Sequence, residues 1–152
     1  MAADLYGHHV VLYLVQQRRM LTLISGTNRP GSNTLKVSRQ YSKLLNEKGL
    51  AHELFSLEQL PAGIFNSAMY EHLDTKLYSP AHQDLMDKYL IPVDKFIFIV
   101  PEYNGSFPGI FKAFIDASNV SACFHNKKCC IVGVADGRAG NLRGDGASYK
   151  YI

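Results

Sequence analysis

The chain has no apolar run long enough to span a bilayer, which needs about 20 residues. The run nearest its start, Val10 to Val15, is short, and Arg18 and Arg19 follow it where a secretion signal would put its charges first. A cytoplasmic protein is therefore expected. Cysteine is scarce: three residues, an odd number clustered late at Cys123, Cys129 and Cys130, so a disulfide framework is excluded. Cys129 and Cys130 lie in an apolar run, so buried free thiols are expected. The six histidines show no ligand spacing and none pairs with a cysteine, so no metal site is expected. Charge of one sign is also lacking. The formal balance is +3 and no basic run exceeds Arg18-Arg19 or Lys127-Lys128, which gives no footprint for nucleic acid. Missing too are Gly-x-Gly-x-x-Gly and the Walker loop, which disfavours a dinucleotide or nucleoside triphosphate at the first turn. There is no Gly-x-Ser-x-Gly elbow, which disfavours a serine hydrolase. Two glycosylation patterns, at Asn104-Gly105-Ser106 and Asn119-Val120-Ser121, are read as chance matches.

What remains is an ordinary globular composition, 47% hydrophobic and 19% charged over 152 residues, enough for one domain spanning 1–152. Residues 1–20 form an atypical N-terminal extension whose apolar run fits a strand or a helix equally. Leu21 to Ser25 reads as a first strand, and a helical period through Leu35, Val37, Tyr41, Leu44 and Leu45 ends at Lys48-Gly49. Ala51 to Leu57 reads as a second strand, 58–80 as a surface excursion, and Ala81 to Tyr89 as a helix closed by Pro92. Phe96 to Val100 is a buried strand that stops at Pro101. A glycine-bearing loop follows, then a helix through Ile110, Phe111, Phe114 and Ile115 ending near Ser118. Cys129 to Ala135 is the last strand. Alternating apolar strands and helices predict an α/β fold with a parallel sheet covered on both faces.

Three strands end in loops that differ from plain connectors. The first, Gly26 to Thr34, is rich in hydroxyl and amide side chains, holds Arg29 and opens a helix. Its N-terminal N–H groups favour an anion, and Arg29 with the hydroxyls fits a terminal phosphate; a capped helix after a Pro-Gly turn is the plainer alternative. In the second, Asn104-Gly105 is a common β-turn pair, although the helical period after it argues against a hairpin. Asn104, Gly105 and Ser106 would present backbone N–H groups to the carbonyl and nitrogen edge of a planar ring, with glycine allowing close approach. The third, Gly137 to Gly144, fits either a flexible connector or a wrap around the far edge of the same ligand. In the strand order 2-1-3-4-5, strands one and three flank the switch point, so the first two loops converge on one crevice.

Ser25 to Thr34 and Pro101 to Gly109 resemble the two signature loops of the NADPH-dependent FMN reductase family, over about residues 20–144. The resemblance implies a flavodoxin-like three-layer sandwich and an enzyme, an oxidoreductase and flavoprotein, with FMN and NADPH or NADH as cofactors. Hydride from NAD(P)H would pass through FMN to a flavin, quinone or similar small-molecule acceptor. Thr27, Arg29, Ser32, Asn33 and Thr34 would hold the FMN phosphate. Pro101, Glu102, Tyr103, Asn104, Gly105 and Ser106 would bracket the ring. Gly137, Arg138, Ala139 and Gly140 match the family's small-residue loop. No side chain is implied as a general acid or base. A homodimer or homotetramer is implied, without nucleic acid or membrane partners. Members of the family continue with a further helix and a fifth strand, for which Asp145 to Ile152 are too few, so four strands in the order 2-1-3-4 are expected. The alternative is a truncated or non-catalytic FMN-binding protein, or a flavodoxin-like electron carrier.

Overall fold

The structure, a computed structural model, describes residues 20–71, 77–138 and 140–144. Of the expected extension only Met20 falls among them, as the first residue of a strand; Ala139 and the segment after Gly144 lie outside.

Four strands, β1 (Met20–Ser25), β2 (His52–Ser56), β3 (Val93–Pro101) and β4 (Lys128–Val134), form one parallel sheet in the order β2-β1-β3-β4. The crossovers carry α1 (Asn33–Glu47), α2 (Pro80–Tyr89), α3 (Gly109–Ala117) and the four-residue α4 (Val120–Cys123). This is the three-layer flavodoxin-like arrangement expected. Among the described residues of the stretch between β2 and α2 are two short 3-10 turns, Leu57–Gln59 and Ser67–Tyr70.

Helices α1 and α2 begin where serine side chains meet free backbone donors. Ser32 caps α1 by accepting from the Leu35 N–H, and Ser79 caps α2 by accepting from His82. Both helices thus start at the carboxyl side of an irregular segment with a defined entry angle.

The main core lies between one sheet face and α2, α3 and α4. Ile24, Phe55, Phe96, Phe98 and Val100 meet Leu85, Met86, Phe111, Phe114 and Phe124 there. Aromatic edges supply the packing: Phe98 meets Phe111 edge-on at 5.3 Å, and Phe55 stacks on Tyr89 at 4.8 Å. The buried Thr22 hydroxyl in β1 donates to the Tyr89 carbonyl, so its polarity is satisfied inside the layer. The other face is covered by α1, which lies against β1, β2 and β3.

One sequence expectation is corrected here. Cys123 is buried, but Cys129 and Cys130 are exposed. They begin β4, which among the described residues pairs only with β3 and so lies at the sheet edge. Beside them runs an apolar groove of about 520 Å³ lined by Leu21, Leu45, Leu50, Ile97 and Cys130. Burial pushes the Cys123 thiol up to about 11, so it carries almost no thiolate near neutrality. Titration of the native protein with a thiol reagent at pH 8 is therefore expected to label two cysteines quickly and the third only after denaturation. Three fast-reacting thiols would contradict the placement of Cys123.

Candidate flavin cleft at the carboxyl ends of β1 and β3

The parallel strands aim their carboxyl ends at one rim, and β1 and β3 are neighbours there. The loop after β1 is laced to β3 at once: the Gly26 N–H donates to the Ile99 carbonyl at 2.8 Å. A Cβ on Gly26 would lie 3.0 Å from that same oxygen and 3.5 Å from the Phe111 ring. Glycine is thus what allows the first loop to leave the sheet so close to the second.

Beyond Gly26, Thr27 is fully buried. Its hydroxyl accepts from the Arg29 N–H at 3.3 Å and shares a hydrogen bond of 3.1 Å with the Tyr103 hydroxyl. This bond joins residues 76 apart in sequence and ties the first loop to the second. The buried Thr27 therefore braces the first loop against the second. The Gly31 N–H is held by the Glu58 carboxylate from the turn after β2 at 3.3 Å. Among the described residues, the cap by Ser32 leaves the N–H groups of Asn33 and Thr34 as open donors at the start of α1, and no acidic residue stands in that first turn. Arg29 is exposed at the rim beside them.

The second loop is a miniature hairpin. Tyr103 and Ser106 exchange backbone bonds of 2.7 and 3.1 Å, and the two residues between them are left-handed, Asn104 at φ 53° and Gly105 at φ 76°. That is the geometry of a type I′ turn, for which Asn-Gly is the favoured pair. The sequence expectation of a loop and not a hairpin is corrected to this extent: the chain makes a two-residue hairpin and then starts α3. The Ser106 N–H, expected to face a ligand, is used inside the turn, and the Glu102 N–H donates to Val134 in β4. The donors left to the turn are those of Asn104 and Gly105.

Between these loops is a cleft of about 300 Å³. Of the residues singled out in the sequence, Arg29, Ser32, Asn33, Thr34, Pro101, Glu102 and Tyr103 line it. Pro30 and Gly31 of the first loop also line it, as do Val134, Ala135 and Asp136, which were not anticipated. Gly137, Arg138 and Gly140 are exposed beyond Asp136, in a turn closed by the Gly140 N–H on the Gly137 carbonyl. The third loop is no free connector, because the buried Asn141 donates its Nδ2 to the Val100 carbonyl at the end of β3. A lone asparagine among glycines carries no sequence signal for that anchor.

The donor set sorts by charge along the cleft. Open N–H groups, the positive end of α1 and Arg29 stand at the β1 side, while the carboxylates of Glu102 and Asp136 come from the ends of β3 and β4. A ligand with an anionic end and a planar, hydrogen-bonding body fits that polarity, and FMN has both parts.

The Thr27–Tyr103 bond is a measurable element of this geometry. Tyr103→Phe removes it and is expected to lower stability by about 0.5–1.5 kcal/mol in denaturant unfolding. A variant as stable as the parent would show that the loops are held together by other means.

The sequence model of the family described as NADPH-dependent FMN reductase matches residues 20–148. Comparison with the curated proteins returned no match. Among solved structures, the chain is similar to an oxidoreductase from Corynebacterium diphtheriae, with 21% identity and a TM-score of 0.68 over 88% of this chain and 72% of that one. It is also similar to FerB, a flavoenzyme NAD(P)H:(acceptor) oxidoreductase from Paracoccus denitrificans, with 23% identity and a TM-score of 0.65 over 84% of this chain and 67% of that one. At such identities the likeness to these structures is one of fold. No helix among the described residues is long and apolar enough to cross a membrane.

Proposed function

The chain belongs to the NADPH-dependent FMN reductase family, and on that premise we propose that it is an FMN-dependent oxidoreductase that draws on NAD(P)H and reduces a small acceptor such as a flavin or quinone. The observation that supports this reading is the cleft itself, with an anion-favouring helix start on one side and Pro101, Glu102 and Tyr103, which lead into the left-handed turn, on the other, the two loops braced together by Thr27 and Tyr103.

In this reading Asn33 and Thr34 offer backbone N–H groups to the FMN phosphate, Ser32 fixes the helix start, and Arg29 closes over the anion from the rim. Thr27 supports them from below. Pro101, Glu102 and Tyr103 wall the ring, and the N–H groups of Asn104 and Gly105 bond its carbonyl and nitrogen edge, with Ser106 closing the turn that aims them. Gly137, Arg138 and Gly140 stand at the outer mouth of the cleft. FMN, when bound, supplies the two-electron chemistry between NAD(P)H and the acceptor. The chain's own residues bind and orient, and none is assigned a proton to move. We place the protein in the cytoplasm, as a homodimer or homotetramer whose second chain walls the open side of the cleft.

Following NADPH at 340 nm in the presence of FMN and a quinone tests the activity. Oxidation well above the free-flavin background is expected. Retained yellow colour without NADPH oxidation would instead make the protein a flavin-binding electron carrier.

A further inference from the structure

Arg143, in the third loop, reaches back to the second. A methyl group added at Gly105 would lie 3.4 Å from Arg143 Nη1 and 3.5 Å from its Cδ, so the side chain lies close to the Tyr103–Ser106 turn. The residue is exposed, and no carboxylate among the described residues forms an ion pair with it. Its position is held from both sides. The buried Asn141, two residues earlier, pins the loop to the end of β3, and the turn it touches is closed by its own pair of backbone bonds. The cation therefore stands beside the turn whose two central residues, Asn104 and Gly105, are left-handed and whose N–H groups are not used by the turn's own bonds.

We propose that Arg143 is a positioning residue that tunes the ring subsite, its guanidinium reinforcing the Asn104 and Gly105 N–H groups toward a ring edge that gains negative charge on reduction. The inference rests on the FMN reading above. A fixed positive charge close to hydrogen-bond donors favours whichever ligand state carries more negative charge, and it does so without touching the ligand. At the oxidised ring the charge has little to act on. At the reduced ring it adds to the two hydrogen bonds. Arg143 should thus separate the affinities for the two states and leave the affinity for oxidised FMN nearly alone. Because the side chain is exposed, the effect should be moderate and should shrink as salt screens it.

The test is the midpoint potential of protein-bound FMN in the parent, Arg143→Gln and Arg143→Lys, with the dissociation constant for oxidised FMN measured beside it. Arg143→Gln is expected to lower the preference for the reduced state about tenfold, equivalent to about 30 mV for a two-electron couple. Arg143→Lys should retain most of the parental potential, and oxidised FMN should bind all three alike. An unchanged potential in Arg143→Gln, or an equal fall in Arg143→Lys, would overturn the electrostatic role while leaving the cofactor assignment intact. A parent protein that binds no FMN would overturn the assignment and the inference with it.

Discussion

Phe114→Ala is expected to lower the unfolding free energy by about 3–5 kcal/mol, the cost of removing a fully enclosed aromatic ring and leaving a void. Phe114 is 0% exposed. Its ring centre lies 6.1 Å from that of Phe55 under β2 and 6.4 Å from that of Phe124 after α4. The ring therefore joins the strand at one edge of the sheet to the short helix that leads into the strand at the other. Neighbours drawn from two separate elements cannot both close fully onto the gap. A domain of this size has about 5–15 kcal/mol of stability in total, so the loss is a large part of it. Urea unfolding followed by circular dichroism measures it: the midpoint should fall with the slope unchanged. A loss below about 1 kcal/mol would show that the layer between the sheet and α3 is packed loosely.

Arg29→Ala is expected to weaken FMN binding by about 1.5–3 kcal/mol, or roughly ten- to a hundredfold, the range of a charge-assisted hydrogen bond. Arg29 is exposed and lines the cleft beside the open N–H groups of α1. Its removal takes a ligand contact and little packing, so thermal stability should be unaffected. Riboflavin, which has the ring without the phosphate, should bind parent and variant equally. Titration of both flavins by fluorescence separates these effects. An unchanged FMN dissociation constant would remove Arg29 from the phosphate site.

Much of the sheet could be read directly from the chain. Phe96 to Val100 is a continuous apolar run, and such a run is what a strand buried on both faces requires. The structure extends it back to Val93 because Asp94 and Lys95 stay exposed at the entrance, and polar residues there hid the true start. α1 and α2 were legible from period and end signals. α4, at four residues, is barely one helical turn and too short to repeat a pattern, and its start depends on Asn119 accepting from the Ala122 N–H. The exposure of Cys129 and Cys130 was not legible either. Composition marks a strand as apolar, whereas its place at an edge is decided by which strand it pairs with.

The site divides in the same way. Arg29, Ser32, Asn33 and Thr34, which line the cleft, could be singled out because a helix start has local chemistry. The role of Thr27 could not, because its partner Tyr103 lies on another strand's loop. The Asn104-Gly105 pair marked a turn, but which N–H groups the turn leaves open depends on the bonds between Tyr103 and Ser106. Asp136 and Asn141 enter only through the pairing of β4 with β3 and the anchor on Val100.

On the proposed reading, one cleft takes the phosphate at the start of α1 and the ring at the turn after β3. Dissociation constants of the purified chain for FMN and for riboflavin, measured side by side by flavin fluorescence, test it most directly. FMN should bind at least about tenfold more tightly, from the charge-assisted contacts to its phosphate. Equal affinity for the two flavins, or binding of neither, would contradict the account.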